Sequence, residues 1–509
     1  MSTLKKLAGQ TAIYGLSSIL GRFLNYILTP VFVAAFTTAQ YGIISEMYSY
    51  VAFLVVLLTY GMETGYFRFY TRSDYNPKTV YYTIIITLLF TTGMYIGLAF
   101  AFAQPIAEWL HYPQHSEYVT WFAIIVGLDA IAQIPLAKLR AHNKAFRFAF
   151  ISLSNVFVNI GLNLFFLWYC KPMYESGQHN WIIDNLYNPE IGVGYVFISN
   201  LIASIIKFLL LVPEMVKPDK KHVVDETKLI KTSNTIFSKR VLKELLFYSM
   251  PLLIAGLAGI VNETIDRIML KRMMIGELGE EATQGMVGIY GGVYKLSIII
   301  TLFIQAFRYA AEPFFFKEGT KENAPQTYAK VMNYFVVVCA VIYIFVMLFL
   351  HYLKHFLPKE AYWEALDIVP ILLFANIFLG MYYNQSIWYK LTNRTASGAI
   401  IAVFGAVLTI CINYIFIPYY TFYAAAWATF ACYGSMMLIS YIAGQKYYPV
   451  PYSIIKILFY LGSAFGITYL VLSLELEGPA RDFVHCFTLF AFCCMTYFIE
   501  FRKTKKISS

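Results

Sequence analysis

Residues 331–350 read VMNYFVVVCAVIYIFVMLFL, a run without a single Asp, Glu, Lys or Arg. At 1.5 Å per residue, a helix of this length extends about 30 Å, which is the thickness of the hydrocarbon core of a bilayer. The stretch therefore predicts a helix that crosses a membrane.

Comparable stretches recur along the whole chain and predict an all-α integral membrane protein with 14 transmembrane helices. The composition agrees, since 59% of the residues are hydrophobic, only 13% are charged and the mean hydropathy is +0.60. A soluble protein with so little charge is not expected. The predicted spans lie near residues 11–36, 41–63, 81–104, 118–137, 148–168, 190–212, 245–270, 287–307, 331–350, 362–389, 398–418, 421–442, 457–473 and 482–499.

The distribution of basic residues predicts the orientation. Most of the 39 Lys and Arg residues fall in every second gap between the spans and at the two ends. Because loops rich in Lys and Arg stay in the cytoplasm, both termini are predicted to be cytoplasmic. The net charge of +10 then reflects membrane topology and gives no support to nucleic-acid binding.

The longest polar segment, residues 213–244, is rich in lysine and is interpreted as a cytoplasmic linker. It separates a predicted N-terminal six-helix bundle, 1–212, from a C-terminal six-helix bundle, 245–442. The second bundle resembles a diverged copy of the first, because 41–48 and 287–294 share a glycine and a tyrosine in register. Residues 443–509 are left for two extra transmembrane helices and a basic cytoplasmic tail.

Missing motifs exclude several functions. The sequence contains neither a Walker-type phosphate loop nor a histidine pair at metal-binding spacing, so an ATPase and a metalloenzyme are both unsupported. No cofactor is predicted. Transport, either uncoupled or coupled to H⁺ or Na⁺, remains.

Ionisable and polar residues inside the predicted spans are the candidate functional residues. A charged side chain that faces lipid at mid-bilayer costs about 2.5–3.5 kcal/mol, so such residues are expected to line a wet cavity or to pair with one another. Most lie in spans 1, 2, 7 and 8, which predicts a shared aqueous cavity. The candidates are Arg22, Asn25, Glu46, Glu63, Asp129, Asp266, Arg267, Lys295 and Arg308.

Structural roles compete with functional ones at some of these positions. Lys207, near the end of span 6, is expected to extend its ammonium group to the membrane interface. Glu263 and Arg267 are four residues apart and could neutralise each other. Asp129 is either a hydrogen-bond partner in helix packing or a proton site. Four prolines within spans are expected to bend their helices: Pro30, Pro135, Pro251 and Pro370.

The cations Arg22, Arg267, Lys295 and Arg308 favour an anionic passenger. Guanidinium groups bind phosphate oxygens in a bidentate manner, and a lysine adds a compact positive charge. Asn25, Glu46, Glu63, Asp129 and Asp266 are expected to line the same polar cavity, and the acids among them are candidates for coupling to H⁺ or Na⁺.

Four segments carry a resemblance to a known family. KKLAGQTAIYGLSS at 5–18, Tyr41-Gly42, YGMETGYFRF at 60–69 and Asp266-Arg267 resemble Wzx-type oligosaccharide flippases. These form the polysaccharide-transport branch of the multidrug/oligosaccharidyl-lipid/polysaccharide exporter superfamily. The resemblance covers essentially the whole chain.

The resemblance implies a MATE-like fold of two six-helix bundles that face each other in a V, with two further helices. It implies a flippase that moves an undecaprenyl-diphosphate-linked oligosaccharide from the cytoplasmic to the periplasmic leaflet of the bacterial inner membrane by alternating access. The implied partners are the lipid-linked oligosaccharide, membrane lipids and other membrane proteins of polysaccharide assembly. Spans 13 and 14 would provide a groove for the polyprenyl tail, as in related lipid II flippases.

Three other functions stay open. A lipid II flippase differs in cargo alone. A multidrug antiporter of the same superfamily is expected to have an acidic cavity and twelve spans. A membrane glycan polymerase is expected to have a large periplasmic loop, whereas the longest predicted loop here is cytoplasmic.

Overall fold

The long apolar stretches of the sequence all form helices, because a helix satisfies its own backbone hydrogen bonds where no water is available. The computed structural model describes residues 3–501 except 71, 73, 179, 217–234, 320 and 393. These residues are almost entirely helical and contain no strand. The predicted all-α membrane fold is confirmed.

The chain divides into two compact units, Met1–Ile268 and Met269–Ser509. In the first unit, α6 packs against α4 and α10, and α7 packs against α1 and α10. Its helices are α1 Thr3–Ala35, α2 Thr38–Thr59, α3 Met62–Tyr70, α4 Pro77–Ala101, α5 Ala103–Trp109, α6 Ser116–Ala141, α7 Ala145–Leu164, α8 Lys171–Glu175, α9 Trp181–Leu186, α10 Gly194–Val216 and most of α11 Lys239–Leu278. A π-helical turn, Phe165–Cys170, joins α7 to α8.

In the second unit, α15 packs against α12 and α17, and α13 packs against the last two helices, α18 and α19. The helices are α12 Glu280–Glu318, α13 Ala324–Leu348, α14 Leu350–Leu353, α15 Val369–Gln385, α16 Ile387–Leu391, α17 Thr395–Tyr447, α18 Ile454–Leu472 and α19 Gly478–Phe501. A 3₁₀ helix, Glu360–Ile368, precedes α15.

Thirteen helical segments of the described chain are long and apolar enough to cross a membrane. One of them, α17, has 53 residues and would extend about 80 Å if straight, far more than one crossing requires. Thr421 interrupts it with non-helical angles (φ 49°, ψ −127°), three residues after Pro418. The two halves of α17 correspond to the predicted spans 398–418 and 421–442, and the total of fourteen spans stays a prediction.

The junction between α2 and α3 shows how the sequence sets a helix boundary. Thr37 and Gln40 exchange side-chain and backbone hydrogen bonds in a capping box that begins α2. Tyr60 and Gly61 end it in the left-handed region, with φ 30° and 71°. A Cβ atom on Gly61 would lie 3.1 Å from the carbonyl oxygen of Ser249, so both the backbone angle and the close approach of α11 favour glycine.

The prolines behave differently from one another. Pro30, Pro135 and Pro251 lie inside α1, α6 and α11, as predicted. Pro370 is instead in the first turn of α15 and continues from the 3₁₀ helix. The predicted bend within span 10 is therefore wrong, since a first-turn proline loses no helical hydrogen bond.

Both edges of the predicted linker 213–244 are helical, because α10 continues to Val216 and α11 begins at Lys239. Residues 217–234 lie outside the described residues. The compact units divide within α11, after Ile268, and not at the linker. The grouping of the spans into two six-helix bundles with an internal repeat stays a prediction.

Candidate functional site

Lys207 and Asp129 form an ion pair between α10 and α6. The ammonium nitrogen donates to Asp129 Oδ1 at 2.6 Å, and the Ser204 hydroxyl donates to the same oxygen at 3.0 Å. The Lys207 side chain retains only 13% of its exposure. The expectation that Lys207 reaches the membrane interface is wrong, because a carboxylate lies within its reach inside the helix bundle.

Arg267 is also neutralised locally. It is 8% exposed, and its guanidinium donates to Asp266 Oδ1 at 3.1 Å and to the Glu263 carbonyl oxygen at 2.9 Å. The adjacent residue supplies the carboxylate, and Glu263 contributes its backbone. The structure thus brings together two of the predicted site residues, Asp266 and Arg267, as a pair.

The two glutamates of span 2 occupy different surroundings. Glu46 in α2 is fully buried and accepts a hydrogen bond from the hydroxyl of Tyr112. Glu63 in α3 forms an ion pair with Arg140 at the end of α6, and both side chains are about one-third exposed. Glu63 therefore has a cationic partner, while Glu46 accepts a hydrogen bond from a neutral hydroxyl.

The remaining predicted residues lie on α1 and α12. Arg22 and Asn25 are exposed on α1 of the first unit. Lys295 is partly buried in α12 of the second unit. Arg308, further along α12, is exposed and belongs to a pocket.

The Arg308 pocket lies between α12, α15 and α16 of the second unit. The guanidinium carbon of Arg308 is 5.0 Å from the centre of the Tyr383 ring, and Lys390 also lines the pocket. The cavity has a volume of about 20 Å³, which is room for one water-sized group such as a single phosphate oxygen. The rest of a bound group would lie at the mouth of the pocket.

Asn384 lines the Arg308 pocket and has an unusual environment for a buried amide. It is 1% exposed, and neither its amide nitrogen nor its amide oxygen has a hydrogen-bond partner among the described residues. Buried amides are nearly always paired, since leaving one unpaired costs about 1–3 kcal/mol. A polar ligand group in the pocket would remove that cost.

Sequence reasoning missed Tyr383, Asn384 and Lys390. Tyr383 and Asn384 carry no charge at neutral pH, and Lys390 lies one residue beyond the predicted span 362–389. A buried asparagine within the apolar span 362–389 was an available signal.

A second missed feature lies at the end of α10. Glu214 is 2% exposed and its carboxylate accepts from Lys144 and Arg147, each at 3.0 Å. Lys138 donates to the Glu214 backbone oxygen at 3.1 Å. These contacts join α10 to α6 and α7, so the feature is structural.

Comparison with known proteins identifies the family. The family model described as "Polysaccharide biosynthesis protein" matches residues 7–318, more than half of the chain. No curated protein matches.

Solved structures show the fold. The lipid II flippase MurJ in an inward closed conformation matches with a TM-score of 0.65 at 13% identity, covering 95% of this chain and 98% of its own. An inward-facing multidrug resistance MATE family transporter of the MOP superfamily matches with a TM-score of 0.64 at 13% identity, covering 86% and 94%. The chain therefore belongs to the polysaccharide biosynthesis protein family and has the membrane fold shared by MATE transporters and MurJ.

Proposed function

We propose that this protein is a flippase that moves an undecaprenyl-diphosphate-linked oligosaccharide from the cytoplasmic to the periplasmic leaflet of a bacterial inner membrane. Transport proceeds by alternating access and supplies the synthesis of O-antigen, capsule or exopolysaccharide. Both termini are cytoplasmic, and other membrane proteins of polysaccharide assembly are partners. The protein is a transporter and not an enzyme.

Family and fold support the class of function. The family description names polysaccharide biosynthesis, and the similar structures are those of a lipid II flippase and of a multidrug resistance transporter. Most of the chain consists of helices that could cross a membrane, which fits the transport of a lipid better than the synthesis of a soluble glycan.

The Arg308 pocket is the observation that favours a sugar diphosphate as the class of substrate. It combines the guanidinium group of Arg308, the ring of Tyr383 and the buried amide of Asn384, which has no hydrogen-bond partner in the described part of the chain. Arginine binds phosphate oxygens, the amide of asparagine both donates and accepts, and aromatic rings pack on sugar faces. This set fits a sugar diphosphate better than a lipophilic cation.

The four predicted cations are therefore not equivalent. Asp266 compensates the charge of Arg267, which makes Arg267 a weaker candidate for a phosphate ligand. Arg308 has its guanidinium beside a ring and a pocket, and it is our first choice. Arg22 and Lys295 are retained as secondary candidates.

Glu46 is our candidate for proton coupling. Glu46 is fully buried in α2 and accepts a hydrogen bond from the Tyr112 hydroxyl. Because the protein encloses this carboxyl group, a proton bound to it could be carried through the transport cycle and released on the other side of the membrane.

A lipid II flippase is the strongest competing function, supported by the MurJ-like fold over 95% of the chain. Its cargo also carries a diphosphate, so the Arg308 pocket does not separate the two. Complementation of a strain depleted of its lipid II flippase separates the two functions. We expect that this protein does not restore growth of that strain. Chain growth on a lipid-linked glycan by the purified protein would instead indicate a polymerase.

The direct test is a flipping assay in proteoliposomes that contain an undecaprenyl-diphosphate-linked oligosaccharide. Glycan that reaches the outer leaflet becomes accessible to an added glycosidase. We expect Arg308→Ala to reduce the initial rate at least tenfold and Arg308→Lys to retain part of it, since a lysine keeps the charge without the bidentate geometry.

Arg394→Ala is the matched control. Arg394 is exposed in the same unit and lies 3.9 Å from the centre of the Tyr447 ring, so it resembles Arg308 without lining the pocket. Its variant should flip at the normal rate. Equal rates for Arg308→Ala and wild type would contradict the role of the pocket, and no flipping by wild type would reject the function.

A further inference from the structure

A second pocket lies in the second unit, at the end where α13 and α18 finish and α19 begins. Its volume is about 300 Å³, within the range of small-molecule sites. Its polar wall consists of His351, Lys354, Glu475, Arg481 and His485. None of these residues was singled out by the sequence.

The charge of this pocket is mainly positive. The Lys354 ammonium lies 3.9 Å from the centre of the Trp363 ring, and the Arg481 guanidinium carbon lies 5.7 Å from the centre of the Tyr352 ring. Glu475 is the single carboxylate among the lining residues and is exposed.

Asp482 partly compensates the positive charge without lining the pocket. Its carboxylate accepts from the Tyr352 hydroxyl at 2.6 Å and lies 3.4 Å from both Arg481 and His351. Arg481 donates to this carboxylate through Nε, which is one of its five donors.

His485 supplies the most specific sign of a missing partner. It is 3% exposed, and its Nδ1 atom has no hydrogen-bond partner among the described residues. The centre of its ring is 5.5 Å from that of His351 and 6.0 Å from that of Phe349. A buried ring nitrogen on a pocket wall is left unpaired at a cost unless a ligand contacts it.

The beginning of α19 adds to the attraction for an anion. This helix has 24 residues and starts at Gly478, so Arg481 is its fourth residue and His485 its eighth. The first turn of a helix carries a partial positive charge that favours anions. Two cations and a buried ring nitrogen without a partner among the described residues thus line one cavity near the start of α19.

The surroundings of the pocket indicate a lipid and not a soluble anion. It lies at the ends of α13 and α18, which are long and apolar enough to cross a membrane. Large apolar side chains near it along α18 and α19 are exposed: Leu470 at 65%, Leu472 at 41% and Phe483 at 72%. Phe483 and Phe487 continue this surface along α19 with stacked rings. A hydrocarbon chain could lie on that surface while its head group occupies the pocket.

We propose that this pocket binds the phosphate head group of a membrane lipid, with Lys354, Arg481 and His485 as its ligands. The inference goes beyond the flippase function, because a bound lipid head group at this position does not require transport.

The test measures binding to the full-length protein in detergent by native mass spectrometry. Undecaprenyl phosphate is the probe, and undecaprenol is the control lipid with the same chain and no charge. We expect wild type to bind the phosphate at least tenfold more tightly. The double variant Lys354→Gln/Arg481→Gln should lose this preference and bind both lipids alike.

The control variant is Arg394→Gln/Lys446→Gln. These two exposed cations lie 3.9 Å and 5.6 Å from the centre of the Tyr447 ring and so reproduce the ring contacts of Lys354 and Arg481 outside the pocket. It should keep the wild-type preference.

Three results would overturn the proposal. Wild type could show no preference for the phosphate, or the pocket variant could keep the preference. Inorganic phosphate at millimolar concentration could displace undecaprenyl phosphate completely, which would show a site for the free anion. Because none of these measurements involves flipping, their failure would leave the proposed function untouched.

Discussion

Lys207 and Asp129 form an ion pair of 2.6 Å between α10 and α6, although they are 78 residues apart in the sequence. Each residue of the pair neutralises the charge of the other inside the first unit. A lone charge there would be costly, so the two residues are expected to depend on each other.

Removal of one partner should therefore destabilise the protein more than replacement of both partners by neutral residues. We expect Lys207→Ala to lower the stability of the detergent-solubilised protein by about 2 kcal/mol, because the Asp129 carboxylate loses its charged donor. The double variant Asp129→Asn/Lys207→Gln should lose less, since two neutral amides can still hydrogen-bond. Thermal unfolding measures the stability of both variants. Lys330→Ala, at an exposed position, is the control and should be as stable as wild type. A double variant less stable than the single one would show that the pair is not coupled.

Asn384 and Asn376 provide a matched comparison on α15. Both are 1% exposed, but the Asn376 amide donates to the Leu372 oxygen at 2.8 Å whereas Asn384 has no partner among the described residues. We expect Asn376→Leu to destabilise the protein by about 1–3 kcal/mol and Asn384→Leu to leave its stability equal or higher.

Asn384→Leu should lower the flipping rate even though it does not lower the stability of the protein. If its amide contacts the substrate, Asn384→Leu should flip at least tenfold more slowly while melting at the same or a higher temperature. A variant that is both less stable and fully active would refute this assignment.

Glu46 should determine the response of transport to a proton gradient. We expect Glu46→Gln to reduce gradient-driven flipping at least tenfold, because an amide can accept from Tyr112 but cannot take up a proton. Glu108→Gln, an exposed acid on α5, is the control and should behave like wild type. Unchanged pH dependence in Glu46→Gln would remove Glu46 from the coupling step.

Tyr75 lies between α3 and α4, outside the membrane-crossing segments. Burial, together with the hydrogen bond that its hydroxyl donates to Glu244, raises the pKa of Tyr75 from 10.0 to about 12. Because the folded pKa is the higher one, the contribution to stability is complete below about pH 10 and is lost as the pH rises towards 12.

The difference in stability between wild type and Tyr75→Phe should therefore be constant up to about pH 10 and shrink above it. Thermal unfolding of both proteins between pH 8 and 11.5 measures this difference. A difference that grows with pH would contradict the sign of the shift.

The membrane spans were predictable because hydropathy and length are local properties of the sequence. Even the division of α17 was visible, since Pro418 and the polar Thr421 separate two apolar runs. Pro370 was misjudged because the segment before it, Glu360–Ile368, tightens into a 3₁₀ helix, and apolar periodicity does not distinguish that from an α-helix.

The partners of the buried polar residues were harder to predict from the sequence than the membrane spans. Arg267 and Asp266 are adjacent, so their pairing could be anticipated from the sequence. The partners of Glu63 and Lys207 are more than seventy residues away in the chain. Asn384 carries no charge, and a single sequence does not reveal whether a buried amide finds a partner.

The Glu214 carboxylate has a mechanical consequence. It lies in the last turn of α10, immediately before the segment that leads to α11, and Lys144 and Arg147 hold it from the neighbouring helix. Because Lys138 of α6 also donates to the Glu214 backbone oxygen, a force applied to the end of α10 would act on α6 and α7 as well as on α10 itself.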